Sequence, residues 1–178
     1  MSDQLPANPV PLSAAEIEAF AADWYRALDR HAPVEEIVQM VASETTRFHD
    51  FSGVDPHSRA DVFKLLPAPA LEFVLPEGVL TGVAAFREWY DDVIGLFFDE
   101  VHSLTEVRLT GERAGIVGAK VLVNWQARRW RPPHPRSEWI GFDADQDWLM
   151  VRSASTGRPV ITRYVVNELR PMPGSPAL

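Results

Sequence analysis

From Val101 to Leu169 the chain leaves almost no room for helix. It reads as four long runs, Val101–Thr110, Ala114–Trp130, Glu138–Val151 and Pro159–Leu169, in which apolar and polar residues alternate. Alternation at period two puts successive side chains on opposite faces of a strand. In the second run Val117, Ala119, Val121, Val123 and Trp125 share one face, against Lys120, Asn124, Gln126 and Arg128 on the other. In the third, Ile140, Phe142, Ala144, Trp148 and Met150 oppose Asp143, Asp145 and Asp147, so pairing of the two runs brings Lys120 beside the aspartates. Gly111–Arg113, the proline-rich RPPHPR at 131–136 and SASTGRP supply the turns. A meander of this length must cover one face, and the segments before it are helical. The expected class is α+β, a curved antiparallel sheet wrapped around three N-terminal helices.

The helices are signalled locally. Ser13 followed by Glu16 reads as a capping box. The helix behind it carries Ile17, Phe20, Ala21, Trp24 and Leu28 on one stripe and ends near Arg30–His31, before Pro33. Pro33 suits the first turn of a second helix with Ile37, Val38 and Val41 inward. Leu71–Leu75 is a short strand stopped by Pro76. Thr81 then reads as the N-cap of a third helix with Phe86, Trp89, Tyr90, Val93 and Phe97 at helical spacing. Residues 1–12 read as a flexible arm, 13–170 as a single domain, 43–69 as an insertion serving as a lid, and 171–178 as a Pro-rich tail.

Composition narrows the function. A net charge of −8 disfavours nucleic acid and anionic membrane surfaces as partners. The chain has no cysteine, which excludes disulfides, thiolate catalysis and Cys-ligated metals and fits a cytoplasmic protein. No run approaches the roughly 20 apolar residues of a membrane helix. The five histidines, two of them His49 and His57 in the insertion, form no ligand-spaced pair, so neither metal nor cofactor is expected.

Specific phrases carry a resemblance. FAADWYRALDRHAPVEEIVQMV, LEFVLPEGVLTGVAAFREWYDDVIGLFFDEVHSL, VLVNWQARRW, FDADQDWLM and VITRYVVNEL together look like the nuclear transport factor 2-like, or SnoaL-like, superfamily. The likeness spans about residues 13–170 outside the insertion, and is greatest to a bacterial subgroup of uncharacterised proteins. It implies a cone-shaped, cystatin-like fold with an apolar pocket, and a homodimer formed through the outer sheet face, where Ile116 and Leu122 would meet the second copy. It also implies either of two functions. One is a cofactor-independent isomerase, dehydratase or cyclase acting on an apolar carbonyl compound. The other is a non-catalytic ligand-binding or accessory module.

Candidate residues follow. Tyr25 and Asp29 lie four apart on the first helix, where a phenol and a carboxylate could polarise a carbonyl and move a proton. His102 opens the first long strand and is the third catalytic candidate. Trp89, Tyr90, Trp125, Phe142 and Tyr164 sit at or next to inward stripes and would line a pocket for a small hydrophobic molecule. Asn167 stands where the resembled cyclases and isomerases keep an acid. An amide is no general base, so this departure favours the non-catalytic reading. Arg128, Arg129, Arg131 and Arg136 form a basic patch that could dock an anion.

Overall fold

The computed structural model describes residues 10–43, 71–113 and 115–178. Beyond Ser43, the expected lid, with His49 and His57, lies outside the described residues. Helix α1 spans Ala14–Asp29, a four-residue α2 spans Val34–Ile37 and runs into a 3-10 turn at Val38–Met40, and α3 spans Gly82–Leu96. The strands are β1 (Glu72–Leu75), β2 (Gly78–Thr81), β3 (Phe97–Arg113), β4 (Ile116–Arg129), β5 (Glu138–Arg152) and β6 (Pro159–Pro171). They form one sheet in the order β2-β1-β6-β5-β4-β3.

Local signals explain most of this. The Ser13 hydroxyl accepts from the Glu16 amide at 3.3 Å, and Glu16 Oε2 accepts from the Ser13 amide at 2.9 Å, closing the capping box. The α1 stripe packs Trp24, fully buried, among Phe20, Phe73, Phe86, Trp148 and Tyr164, with ring centroids 6.1–6.5 Å away. Along the middle of β4 and β5 the alternation holds, Lys120 reaching Asp145 at 2.6 Å and Asp147 at 3.1 Å on the outer face.

Five expectations need correction. The sheet is mixed, because β1 pairs parallel with β6 through Phe73↔Tyr164. β1 also turns back at once into β2, where the sequence predicts a loop. The second helix is cut short because Val41 goes extended to form a bridge with Ile161. The helix α3 follows β1 as expected, but it stops before Phe97, which opens β3 instead of closing the helix. Ile116, assigned to the dimer contact, is buried on its own chain with Ala42, Val151 and Val160. The ends of the described chain are tied down: Arg152 donates to Val10 O at 3.2 Å, and the Met172 amide donates to Gly141 O at 2.9 Å.

Candidate functional site

Where α1, α3 and the inner face of the sheet diverge they leave a cavity of about 120 Å³. Its wall is mostly apolar, with Leu28, Val93, Ile94, Val123 and Val166 among its residues. Trp89 and Val93 of α3 are only half-buried because they face this space. The Trp89 indole N–H donates to Glu77 at 3.2 Å.

The chemistry gathers on His102. Its backbone N–H donates to both oxygens of Asp29, at 3.1 and 3.2 Å, and its Nδ1 lies 2.6 Å from Asp29 Oδ1. A carboxylate only accepts, so Nδ1 carries the proton and Nε2 of the neutral ring is left as the acceptor. His102 lines the cavity, whereas Asp29 stands behind it. Tyr25 stacks on the imidazole at 4.8 Å, and Trp125, its cross-strand partner, stacks at 6.0 Å. The ring is therefore held by two flat neighbours and one charge-assisted hydrogen bond.

A second pair stands beside the first. Glu100 is buried and lines the cavity; its Oε1 lies 2.9 Å from His31 Nε2, and its Oε2 accepts from the Trp125 indole N–H at 2.9 Å. The backbone on both sides of this pair takes a costly form. α1 ends in a Schellman turn, with His31 N–H to Leu28 O and Ala32 N–H to Ala27 O both at 2.9 Å. His31 holds φ +50° there, at a position that usually belongs to glycine. Asp99, at φ +49°, sits in the bulge that breaks the β3–β4 register between Phe98 and Val101. Bulges beside functional sites re-aim side chains, and this one delivers Glu100 to the inner face.

The third polar group is Gln146, buried on β5 and lining the cavity. Its Oε1 accepts from Tyr25 Oη at 2.8 Å and from Trp148 Nε1 at 3.0 Å. Burial pushes the Tyr25 and Tyr164 phenols well above the usual tyrosine value, so both keep their protons. Burial, reinforced by Glu100, likewise raises Tyr90 to about 12, and its hydroxyl donates to Ala32 O at 2.7 Å.

Of the sequence candidates, His102, Trp89, Tyr90, Trp125 and Tyr164 line the cavity. Tyr25 does not; it packs beneath His102 and is spent on Gln146. Phe142 is buried one strand away, stacked on Trp125 at 6.0 Å. Asn167 is on the outer face, donating to Asp145 at 3.1 Å and Asp147 at 2.7 Å, because it directly follows Val166, which lines the cavity, and successive strand residues face opposite ways. Its amide therefore says nothing about the pocket. The basic patch divides: Arg129 is buried on Glu138, while Arg128 donates to Ser137. Gln146, Glu100 and His31 went unread. Gln146 had a signal, being the one polar residue at an inward parity between Ile140 and Met150. Among the described residues no group of acidic or histidine side chains is arranged to hold a metal ion.

No family model and no curated protein matches the chain. Solved structures do. A Streptomyces avermitilis protein of the nuclear transport factor 2-like family aligns with a TM-score of 0.62 at 16% identity, over 89% of this chain and 95% of that one. The hexachlorocyclohexane dehydrochlorinase LinA-type3 of Novosphingobium barchaimii gives 0.60 at 14%, over 92% of each chain. A ketosteroid isomerase-like protein of Erwinia carotovora gives 0.57 at 17%, over 86% and 93%. At such identities the likeness is one of architecture, and it agrees with the resemblance read from the sequence: this chain has the nuclear transport factor 2-like fold.

Proposed function

We propose that the protein is a small-molecule enzyme that moves a proton without a cofactor, in the class of isomerases, dehydratases and cyclases acting on apolar carbonyl compounds. The observation that carries it is the Asp29–His102 pair, with Nδ1 held by a carboxylate at 2.6 Å and the ring facing an apolar cavity. In the proposed step His102 Nε2 takes a proton from a carbon next to the ligand carbonyl. The C–H bond breaks, an N–H bond forms, and the electron pair moves onto the carbonyl oxygen as an enolate. Asp29 stabilises the resulting imidazolium and keeps the ring oriented. The likeness to a dehydrochlorinase and to an isomerase-like protein supports a fold able to house such chemistry.

The non-catalytic reading rested on Asn167, and its outward position removes that support. No described helix is long and apolar enough to cross a membrane. A cytoplasmic location is part of the same proposal and rests on the absence of cysteine.

The test is hydrogen–deuterium exchange at the α-carbon of cyclohexanone in D2O, followed by proton NMR. The wild type should accelerate exchange over buffer, and His102→Asn should abolish the acceleration. Exchange no faster than buffer at saturating ketone, or undiminished in His102→Asn, would overturn the reading.

A further inference from the structure

We propose that the cavity selects a small neutral hydroxy-carbonyl compound, its carbonyl oxygen read by the Gln146 amide and its hydroxyl by Glu100. This deepens the proposed function and rests on its view of the cavity as a ligand site.

Gln146 is locked in one orientation. The Trp148 indole N–H can only donate, so the atom it meets at 3.0 Å must be the amide oxygen. Tyr25 adds a second donor to the same oxygen at 2.8 Å. The amide oxygen is thereby saturated and the NH2 group is fixed on the other side. That group brings two donors, and the Tyr164 hydroxyl, which Tyr25 and Trp24 also approach, is a polar neighbour in range. Across Gln146, Tyr25, Tyr164, Trp24 and Trp148 the N–H and O–H donors outnumber the accepting oxygens, and the buried Trp24 indole N–H has no partner. The cluster therefore holds donors in surplus of acceptors at the cavity wall, and a buried donor without an acceptor is costly. A carbonyl oxygen supplies the acceptor. It is also the atom on which negative charge grows if His102 removes the neighbouring proton.

Glu100 is the complement. Two donors, His31 and Trp125, occupy part of its accepting capacity, and a carboxylate offers about four lone-pair sites. The group stands at the cavity with its side chain 4% exposed, so water reaches it poorly. A ligand hydroxyl would supply the missing donor. The left-handed backbone at His31 and Asp99 shows how far the chain departs from easy geometry to put this pair there.

Charge and volume complete the class. Among the described residues Glu77 and Glu100 line the cavity, and no lysine or arginine does. Carboxylates and phosphates are therefore poor ligands. An apolar cavity of about 150 Å³ is known to hold benzene, so the 120 Å³ here corresponds to about one six-membered ring. His102 lies between the two readers along the ring contacts, since Tyr25 and Trp125 both stack on it, the first bonded to Gln146 and the second to Glu100.

The experiment is a binding panel read by tryptophan fluorescence and NMR titration. The probes are 2-, 3- and 4-hydroxycyclohexanone, their methyl ethers, cyclohexanone and 4-hydroxycyclohexanecarboxylate. One hydroxyketone isomer should bind at least tenfold tighter than both its methyl ether and cyclohexanone, and the carboxylate weakest. Binding should shift the Gln146 side-chain amide resonances, and Glu100→Gln should reduce the hydroxyl preference to below threefold. Equal affinity for hydroxyketone and ether, a preferred carboxylate, or an unmoved Gln146 amide would each overturn the proposal. None of these results depends on turnover. If the preference holds while cyclohexanone exchange stays at the buffer rate, proton transfer fails and the ligand class stands. If exchange is His102-dependent but the panel is flat, the ligand class fails alone.

Discussion

The imidazole of His102 has every neighbour a positioned base needs: a carboxylate on one nitrogen, a ring on which it stacks, and an apolar space beside it. Asp29→Asn keeps the size of the side chain, but the amide can turn its NH2 toward Nδ1 and favour the wrong tautomer. We expect the α-exchange rate to fall by about 10²-fold or more, with hydroxyketone affinity changed little. Equal losses in rate and affinity would mean that Asp29 serves the fold alone. Tyr25→Phe tests a different claim. It removes one of the two donors to Gln146 Oε1 and leaves the stacked ring in place. Stability should drop by about 1 kcal/mol in urea unfolding, the usual net worth of one such bond. No change at all would show that the Tyr25–Gln146 contact is not made in solution. Tyr25 and Asp29 were singled out for their shared helix face, but the helix divides them. Asp29 reaches His102 and Tyr25 reaches Gln146, each contact crossing more than 70 residues of chain. Spacing on one element could place the two groups side by side; it could not show which partner each would find.

Helix α1 is tied to the sheet at its first turn. Arg152 of β5 meets Glu16 Oε1 at 2.8 Å. The Arg152 hydrogen bond, with those of Ser13, brings the Glu16 carboxyl down to about 2 from its usual 4.5. A depressed carboxyl contributes stability that is complete above its unfolded value and lost as pH falls through the folded one. The window here is pH 4.5 to 2. Glu16→Gln should therefore lower the melting temperature at pH 6 and cost almost nothing at pH 2; a pH-independent difference would show the ion pair to be idle. The group is partly exposed, so solvent screening keeps the effect modest. At element level the sequence was legible wherever a periodic pattern ran long: α1, β4 and β5 stand within a residue or two of where alternation and caps put them. It was opaque at β2, four residues of mixed polarity that are a strand only because β1 lies alongside. It was opaque again at α2, which Val41 terminates by pairing with a strand about 120 residues away.

One face of the sheet meets the helices, and the other carries Lys120, Asp143, Asp145, Asp147 and Asn167, largely paired among themselves. We propose a homodimer across this outer face, with Leu122, half-buried on the chain alone, among its apolar contacts. Light scattering at tens of micromolar should give twice the 20.0 kDa chain mass, and Leu122→Asp should lower it. A monomer at that concentration would sink the proposal. The sequence by itself determined the class of the molecule: helices ahead of a long alternating meander, one aromatic-rich inner face, and an acidic, cysteine-free surface. Those follow from periodicity and composition, which are local properties of the chain. Only the tertiary structure decided the site. Asp29 with His102, Glu100 with His31 and Gln146 with Tyr25 are contacts between distant elements. The first two depend on a bulge at Asp99 and a left-handed turn at His31, and a one-residue change of register turns a side chain to the opposite face of the sheet.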